Sequence, residues 1–269
     1  MTYPRDLIGY GRRPPDPRWP GQARLALQIV LNYEEGGERA ILHGDVESEA
    51  FLQEVVGMSP LPGVRNLQVE SIYEYGSRVG FWRLLRLFAE RDIKISVFAV
   101  AMALERHHDA ARAIVEAGHE MVSHGWRWID YQFVDEAVER EHMRLAVESL
   151  TRVTGSRPVG WYTGRLSPNT RRLVVEHGGF LYDADAYNDD LPYWVLVDDK
   201  PQLLVAMKRS LGSQLTTVFV RQGHYAAESR DAVLDPAPDI CIDRIAELLE
   251  RDIIHDAPMT AELRSKELT

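Results

Sequence analysis

One cysteine, Cys241, stands in 269 residues. It excludes an intrachain disulfide and a cysteine-based metal cage. No apolar run approaches the length of a membrane span. The start, Met1-Thr2-Tyr3-Pro4-Arg5-Asp6, has no apolar signal core. Basic residues are in deficit, 31 Lys and Arg against 41 Asp and Glu, for a formal net charge of −10. A phosphate-binding face needs the opposite balance, which argues against a nucleic-acid partner and against an anionic membrane surface. Internal repeats and low-complexity segments are also missing. What remains is ordinary globular composition, 45% hydrophobic and 27% charged, long enough for one large α/β domain or two smaller ones. The expectation is a cytoplasmic homo-oligomer acting on a small molecule.

The chain is organised around Asn32-Tyr33-Glu34-Glu35-Gly36-Gly37-Glu38. It follows the apolar run Leu25-Ala26-Leu27-Gln28-Ile29-Val30-Leu31, which reads as a buried strand closing at a sharp turn. Two adjacent carboxylates therefore sit where a strand meets its loop, the end of an α/β sheet where chemistry gathers. Like charges sharing a site push one pKa up. A solvated acidic turn is the plain alternative; the strand before the pair and the glycines after it favour a site.

In chain order, residues 3–22 carry Pro4, Pro14, Pro15, Pro17 and Pro20 and read as an extended arm. Strand one spans about 24–32. A polar stretch with Glu47, Glu49 and Glu54, then Pro60 and Pro62, is long for a connection and is expected to border a site. Phe81, Leu84, Leu85 and Phe88 recur at helical spacing and read as core. Strands are expected at 94–100, 119–123, 159–163 and 180–182. Helices are expected at about 102–117 and 135–154, and from Ser167-Pro168, with Ser167 as N-cap. After residue 200, 203–205 and 217–220 are strand candidates and 240–253 reads as helix. This alternation predicts a parallel sheet covered by helices, open or closed into a barrel.

Six ordered landmarks carry a resemblance over roughly residues 3–200. They are Asp6-Leu-Ile-Gly-Tyr-Gly11, Leu31-Asn-Tyr-Glu-Glu-Gly-Gly-Glu38, Glu74-Tyr-Gly-Ser-Arg78, Ser123-His-Gly-Trp-Arg-Trp-Ile-Asp130, Gly160-Trp-Tyr-Thr-Gly-Arg165 and Asp190-Leu-Pro-Tyr-Trp194. Together they resemble the polysaccharide deacetylase superfamily and, within it, the allantoinase branch. The resemblance implies a (β/α) barrel-like deacetylase fold, with 1–204 as the catalytic domain and 205–269 as its diverged C-terminal part. The superfamily's sugar deacetylases use an acid pair, one member the general base and the other a ligand of a divalent metal held with two histidines four apart. Here the pair corresponds to Glu34 and Glu35 and the first histidine to His124. The second histidine position is Trp128, whose indole offers no lone pair, whereas a catalytic zinc normally keeps three protein ligands. The family's arginine corresponds to Gly160, and Arg165 is a different position. The resemblance thus implies hydrolysis with neither metal nor other cofactor.

Opening a cyclic amide needs a base, an acid for the leaving nitrogen and donors for the oxyanion. Glu34 or Glu35 can be the base, and His124 can protonate or polarise; a satisfied structural histidine is the alternative. Arg165 has a planar fork suited to ureido oxygens, against an ordinary surface ion pair. Trp126, Trp128 and Tyr162 can wall a flat substrate, against simple core packing. The family's closing Leu-His type motif is not found after residue 200; His224 is the nearest substitute, and a loop histidine is the alternative. The leading expectation is an amidohydrolase opening a cyclic ureide, allantoin to allantoate. A metal-dependent polysaccharide N-deacetylase and a catalytically inactive homologue are the rivals.

Overall fold

A computed structural model describes residues 7, 9–12, 16–17, 19–188, 194–211, 215–222, 226, 234–244 and 247. Asp6 and Ile8 of the first landmark, residues 190–193 of the last, His224 and most of the 240–253 helix expectation lie outside these residues. The chain divides into two compact units, one of Leu25–Tyr187, the other of Met1–Arg24 with Asn188–Thr269.

The Leu25–Tyr187 unit is a five-stranded parallel sheet with strands in sequence order: β1 (Val30–Tyr33), β2 (Ser96–Ala99), β3 (Glu120–Ser123), β4 (Gly160–Trp161) and β5 (Tyr182–Asp183). Parallel neighbours need crossovers, and helices supply them. Between β1 and β2 lie α1 (Leu67–Tyr75), a π-helical turn (Gly76–Gly80) and α2 (Phe81–Glu90). Phe81 and Phe88 are buried as expected, while Leu84 stays 37% exposed. Between β2 and β3 the expected single helix breaks at Arg106-His107 into α3 (Ala101–Glu105) and α4 (His108–Glu116). The long helix α5 (Glu136–Thr154) follows β3, and α6 (Thr170–His177) follows β4. The α6 helix starts later than its sequence suggested, because Ser167 Oγ takes the Asn169 amide at 2.9 Å in a turn ahead of the helix.

The core explains the periodicity. All four residues of β2 are buried, as expected of a strand covered on both faces. On α5, Met143, Ala146, Val147 and Leu150 are buried at i, i+3, i+4, i+7, one apolar stripe against the sheet. Truncating Leu150 there would cost roughly 2–5 kcal/mol. The helix closes at Gly155 with φ 80°, the left-handed conformation favoured by glycine. Gly37 is fixed by a close approach instead: a Cβ there would lie 2.3 Å from Val100 Cγ1.

The second unit holds a three-stranded parallel sheet of β6 (Trp194–Asp198), β7 (Leu215–Val220) and β8 (Ile240–Ile242), with α7 (Pro201–Leu211) between the first two. Residues 203–205 are thus helical, not strand, and 240–242 strand, not helix. Both segments are apolar runs too short for periodicity to separate the two states. Lys208, 9% exposed, meets Asp239 at 2.7 Å and the Leu215 carbonyl at 2.5 Å. Thr217 also binds that carboxylate, through its amide and hydroxyl. Among the described residues no helix is long and apolar enough to cross a membrane.

Candidate active site

The ends of β1, β3 and β4 place the candidate residues. Strand hydrogen bonding continues past each strand: Val100 N donates to Tyr33 O, His124 N to Ala99 O, and Tyr162 N to Ser123 O. The loop after β3 is tied back to the acidic turn by Trp128 N donating to Gly37 O at 2.9 Å. Since β2 lies between β1 and β3 and ends in the small Ala99, His124 reaches across it to the acidic turn. Its Nε2 lies 2.9 Å from Glu34 Oε1. Asn32 Nδ2 donates to the same oxygen at 3.1 Å. His124 is 1% exposed, and among the described residues its buried Nδ1 has no hydrogen-bond partner.

A cleft of about 620 Å³ opens at this point, lined among others by Glu34, His124, Tyr162, Arg165, Trp128 and Glu49. The Arg165 guanidinium carbon sits 4.0 Å from the centre of the Trp128 ring, a cation–π stack. Phe51 is 5.6 Å from the same carbon. Tyr162 packs its ring 4.8 Å from that of His124, and its hydroxyl accepts from Tyr187 at 2.9 Å. Asp185, fully buried after β5, takes the amides of Thr163 and Gly164 at 2.8 Å each. Burial pushes its carboxyl above the usual range, and those two amides draw it back. Asp185 thereby fixes the turn that carries Tyr162 and Arg165.

Two candidates go elsewhere. The adjacent acids do not share a space: Glu35 lines a second cavity of about 430 Å³ with Tyr33, Glu38, His43, Tyr73 and His107. Side chains alternate between faces as a chain leaves a strand, so neighbouring glutamates part. Trp126 packs against the hydrophobic core and is absent from the cleft lining. Conversely, Asn32, Glu49, Phe51 and Asp185 were not among the candidates. Glu49 and Phe51 come from the long polar stretch expected to border a site, and both line this cleft. Asp185 sat in an acidic loop whose sequence shows nothing of the two amides it binds.

These donors do not suit a divalent metal. Glu34 and His124 supply two ligands, Trp128 supplies none, and the Arg165 guanidinium already brings positive charge to the Trp128 face. Among the described residues no group of three or more His, Cys, Asp or Glu is placed to hold an ion.

Comparison with known proteins decides the family. The polysaccharide deacetylase family model matches residues 67–178. A Schizosaccharomyces pombe protein described as a polysaccharide deacetylase is 43% identical over 254 residues, 86% of this chain and 79% of that one. The chain belongs to the polysaccharide deacetylase family. Among solved structures of this family's fold, that of PuuE allantoinase is 47% identical, covering 93% of this chain and 97% of the other with a TM-score of 0.69. A Pseudomonas aeruginosa structure, described as a polysaccharide deacetylase, is 46% identical over 92% and 97% with the same TM-score. The family match contains His124, Trp128, Tyr162 and Arg165 but stops short of the acidic turn. The chain is thus a family hydrolase with a parallel α/β fold.

Proposed function

We propose that this chain opens the ring of a cyclic ureide, allantoin to allantoate, without a metal. The observation that carries the reading is the arrangement of one cleft. A hydrogen-bonded pair, Glu34 and His124, faces an arginine stacked on the tryptophan that stands in the second histidine's place. The likeness to PuuE allantoinase along nearly the whole of both chains supports the choice of ring substrate.

Glu34 keeps one carboxylate oxygen on His124 and Asn32, which leaves the other to take a proton from water. The water oxygen attacks the ring carbonyl, the ring C–N bond breaks, a carboxylate forms, and the departing nitrogen takes up a proton. Glu34, holding the proton it took, is the group that returns it, and His124 steadies its carboxyl through the Nε2–Oε1 contact. The Arg165 fork steadies the carbonyl oxygens, since a guanidinium meets two acceptors at once. Trp128 and Tyr162 flank a flat ring.

N-deacetylation of a sugar polymer is the second reading, favoured by the descriptions of the yeast and Pseudomonas relatives. One experiment separates the two: chelator-treated protein is assayed on allantoin and on a chitooligosaccharide. Ring opening that survives chelation is the expected result. Turnover of the sugar alone, restored by added zinc, would overturn the proposal.

A further inference from the structure

Two buried polar atoms that have no hydrogen-bond partner among the described residues face each other in the cleft. They are Arg165 Nη2 and Glu49 Oε2, 3.7 Å apart, which is ion-pair range but beyond a hydrogen bond. Glu49 is 7% exposed, so its charge has little water around it. Such a carboxylate is costly to keep unless a cation answers it. Its other oxygen, Oε1, is fully engaged by the amides of Ala50 and Phe51, both at 2.9 Å. The segment behind it is anchored as well. Ser48 N donates to Leu61 O, Gly63 N to Val46 O, and Tyr73 OH to Phe51 O at 2.7 Å.

The guanidinium is therefore held on two sides by different forces: the Trp128 ring below it and the Glu49 charge beside it. Nη2 itself is buried beside Glu49, while the side chain as a whole stays 28% exposed. We propose that Glu49 is the positioning residue of Arg165, holding the guanidinium against Trp128 by charge at its buried Nη2 and leaving its exposed N–H groups for the acceptor oxygens of the substrate. This deepens the cyclic-ureide reading and rests on it for the kinetic part of the test. The geometric part stands without any substrate.

The informative variant is Glu49→Gln. Glutamine keeps the size and the Oε1 that accepts from Ala50 and Phe51, and removes only the charge. The first readout is the indole N–H resonance of Trp128, assigned by its disappearance in Trp128→Phe. It should shift in Glu49→Gln and in Arg165→Lys in the same direction, because both loosen the guanidinium from the ring. The second is kinetics on allantoin. KM should rise about tenfold with kcat within about threefold, the pattern of a lost binding contact, and Glu49→Gln should add little in an Arg165→Lys background.

A melting temperature close to wild type with a shifted resonance supports the proposal. An unmoved resonance overturns it, whatever the activity. A shift accompanied by collapse of the melting temperature also overturns it, making Glu49 an anchor of its own loop. If wild-type protein opens no ureide ring, the functional reading fails, and the resonance alone still decides the role of Glu49.

Discussion

Glu34 and Glu35 are neighbours in sequence, yet the molecule treats them as opposites. Glu34 meets two donors, His124 and Asn32, in an open cleft with an arginine across it. Glu35 turns into the other cavity, where its Oε2 takes the Glu34 amide at 3.2 Å. Its Oε1 lies against the π-helical turn, where a Cβ on Gly76 would come within 1.7 Å. Burial pushes the Glu35 carboxyl above its usual value, and the charges of Glu34 and Glu38 add to that. A carboxylate that must take a proton from water needs a partner for the charge it keeps. Glu34 has one in His124, whereas the arginines of the Glu35 cavity, Arg65 and Arg106, are engaged by Glu70 and by the Gly36 carbonyl. The difference assigns the base by environment where sequence adjacency left two choices.

The sharpest way to break this contrast is to neutralise each acid in turn. Glu34→Gln should lower kcat on allantoin by about 10²–10⁴-fold, the usual consequence of losing a general base. Glu35→Gln should stay within about tenfold of wild type, because it changes the turn and not the proton path. Equal losses in the two variants would mean the pair acts as a unit. Next in size is Arg165→Lys, which keeps charge but loses the fork. A fall of about ten- to a hundredfold in kcat/KM is expected, matching a lost charged hydrogen bond of roughly 1.5–3 kcal/mol. It should come with a near-normal melt; an unchanged kcat/KM would remove Arg165 from substrate binding.

Most of this contrast was out of reach of the sequence, and the reasons are physical. Strand positions were legible where, as in β2, a short run carries β-branched and aromatic residues, and α5 because its long segment is amphipathic. The meeting of His124 with Glu34 was legible only as two strand ends on one edge of a parallel sheet. Which of Glu34 and Glu35 faces the cleft depends on where β1 stops: the apolar run suggested 24–32, whereas the strand is Val30–Tyr33. A shift of one residue at a strand end exchanges the faces of all that follows. Glu49 lay in a stretch with no periodicity, where long-range hydrogen bonds and an ion pair set the path. In the second unit, 203–205 and 240–242 are apolar triplets that fit either state, and tertiary packing chose between them.

Gly76 gives a smaller test on the Glu35 side. An alanine there overlaps the Glu35 carboxyl, which is the mobile end of a flexible side chain. Gly76→Ala should therefore cost stability modestly, about 1–3 kcal/mol as overpacking does. The same substitution in a Glu35→Ala background should cost clearly less, because the overlap is gone. Denaturant melts of the four proteins in this cycle give the coupling directly. A fully additive cycle would show that Glu35 does not occupy the space beside Gly76.

The smallest expected effect is a pH dependence, and its sign follows from the direction of the Glu35 shift. The folded carboxyl titrates above the unfolded value of about 4.5. Between those two values the native state holds more protons at this site than the unfolded chain. Stability then falls as pH rises through the window, and is fully recovered below the unfolded value. Glutamine cannot titrate, so the Glu35→Gln variant should lack this contribution while keeping every other titration in the molecule. The measurement is therefore a difference: unfolding free energy of wild type minus variant, from acid to neutral pH. That difference should decline as pH rises from about 4.5 and then level off once the folded carboxyl is ionised. A difference that stays flat would mean Glu35 ionises as easily in the fold as in water. A difference that climbs would mean that a cation of its cavity, Arg65 or Arg106, answers its charge. In either case the separation of the two glutamates by environment would fail, and the choice of Glu34 as base would rest on its contact with His124 alone.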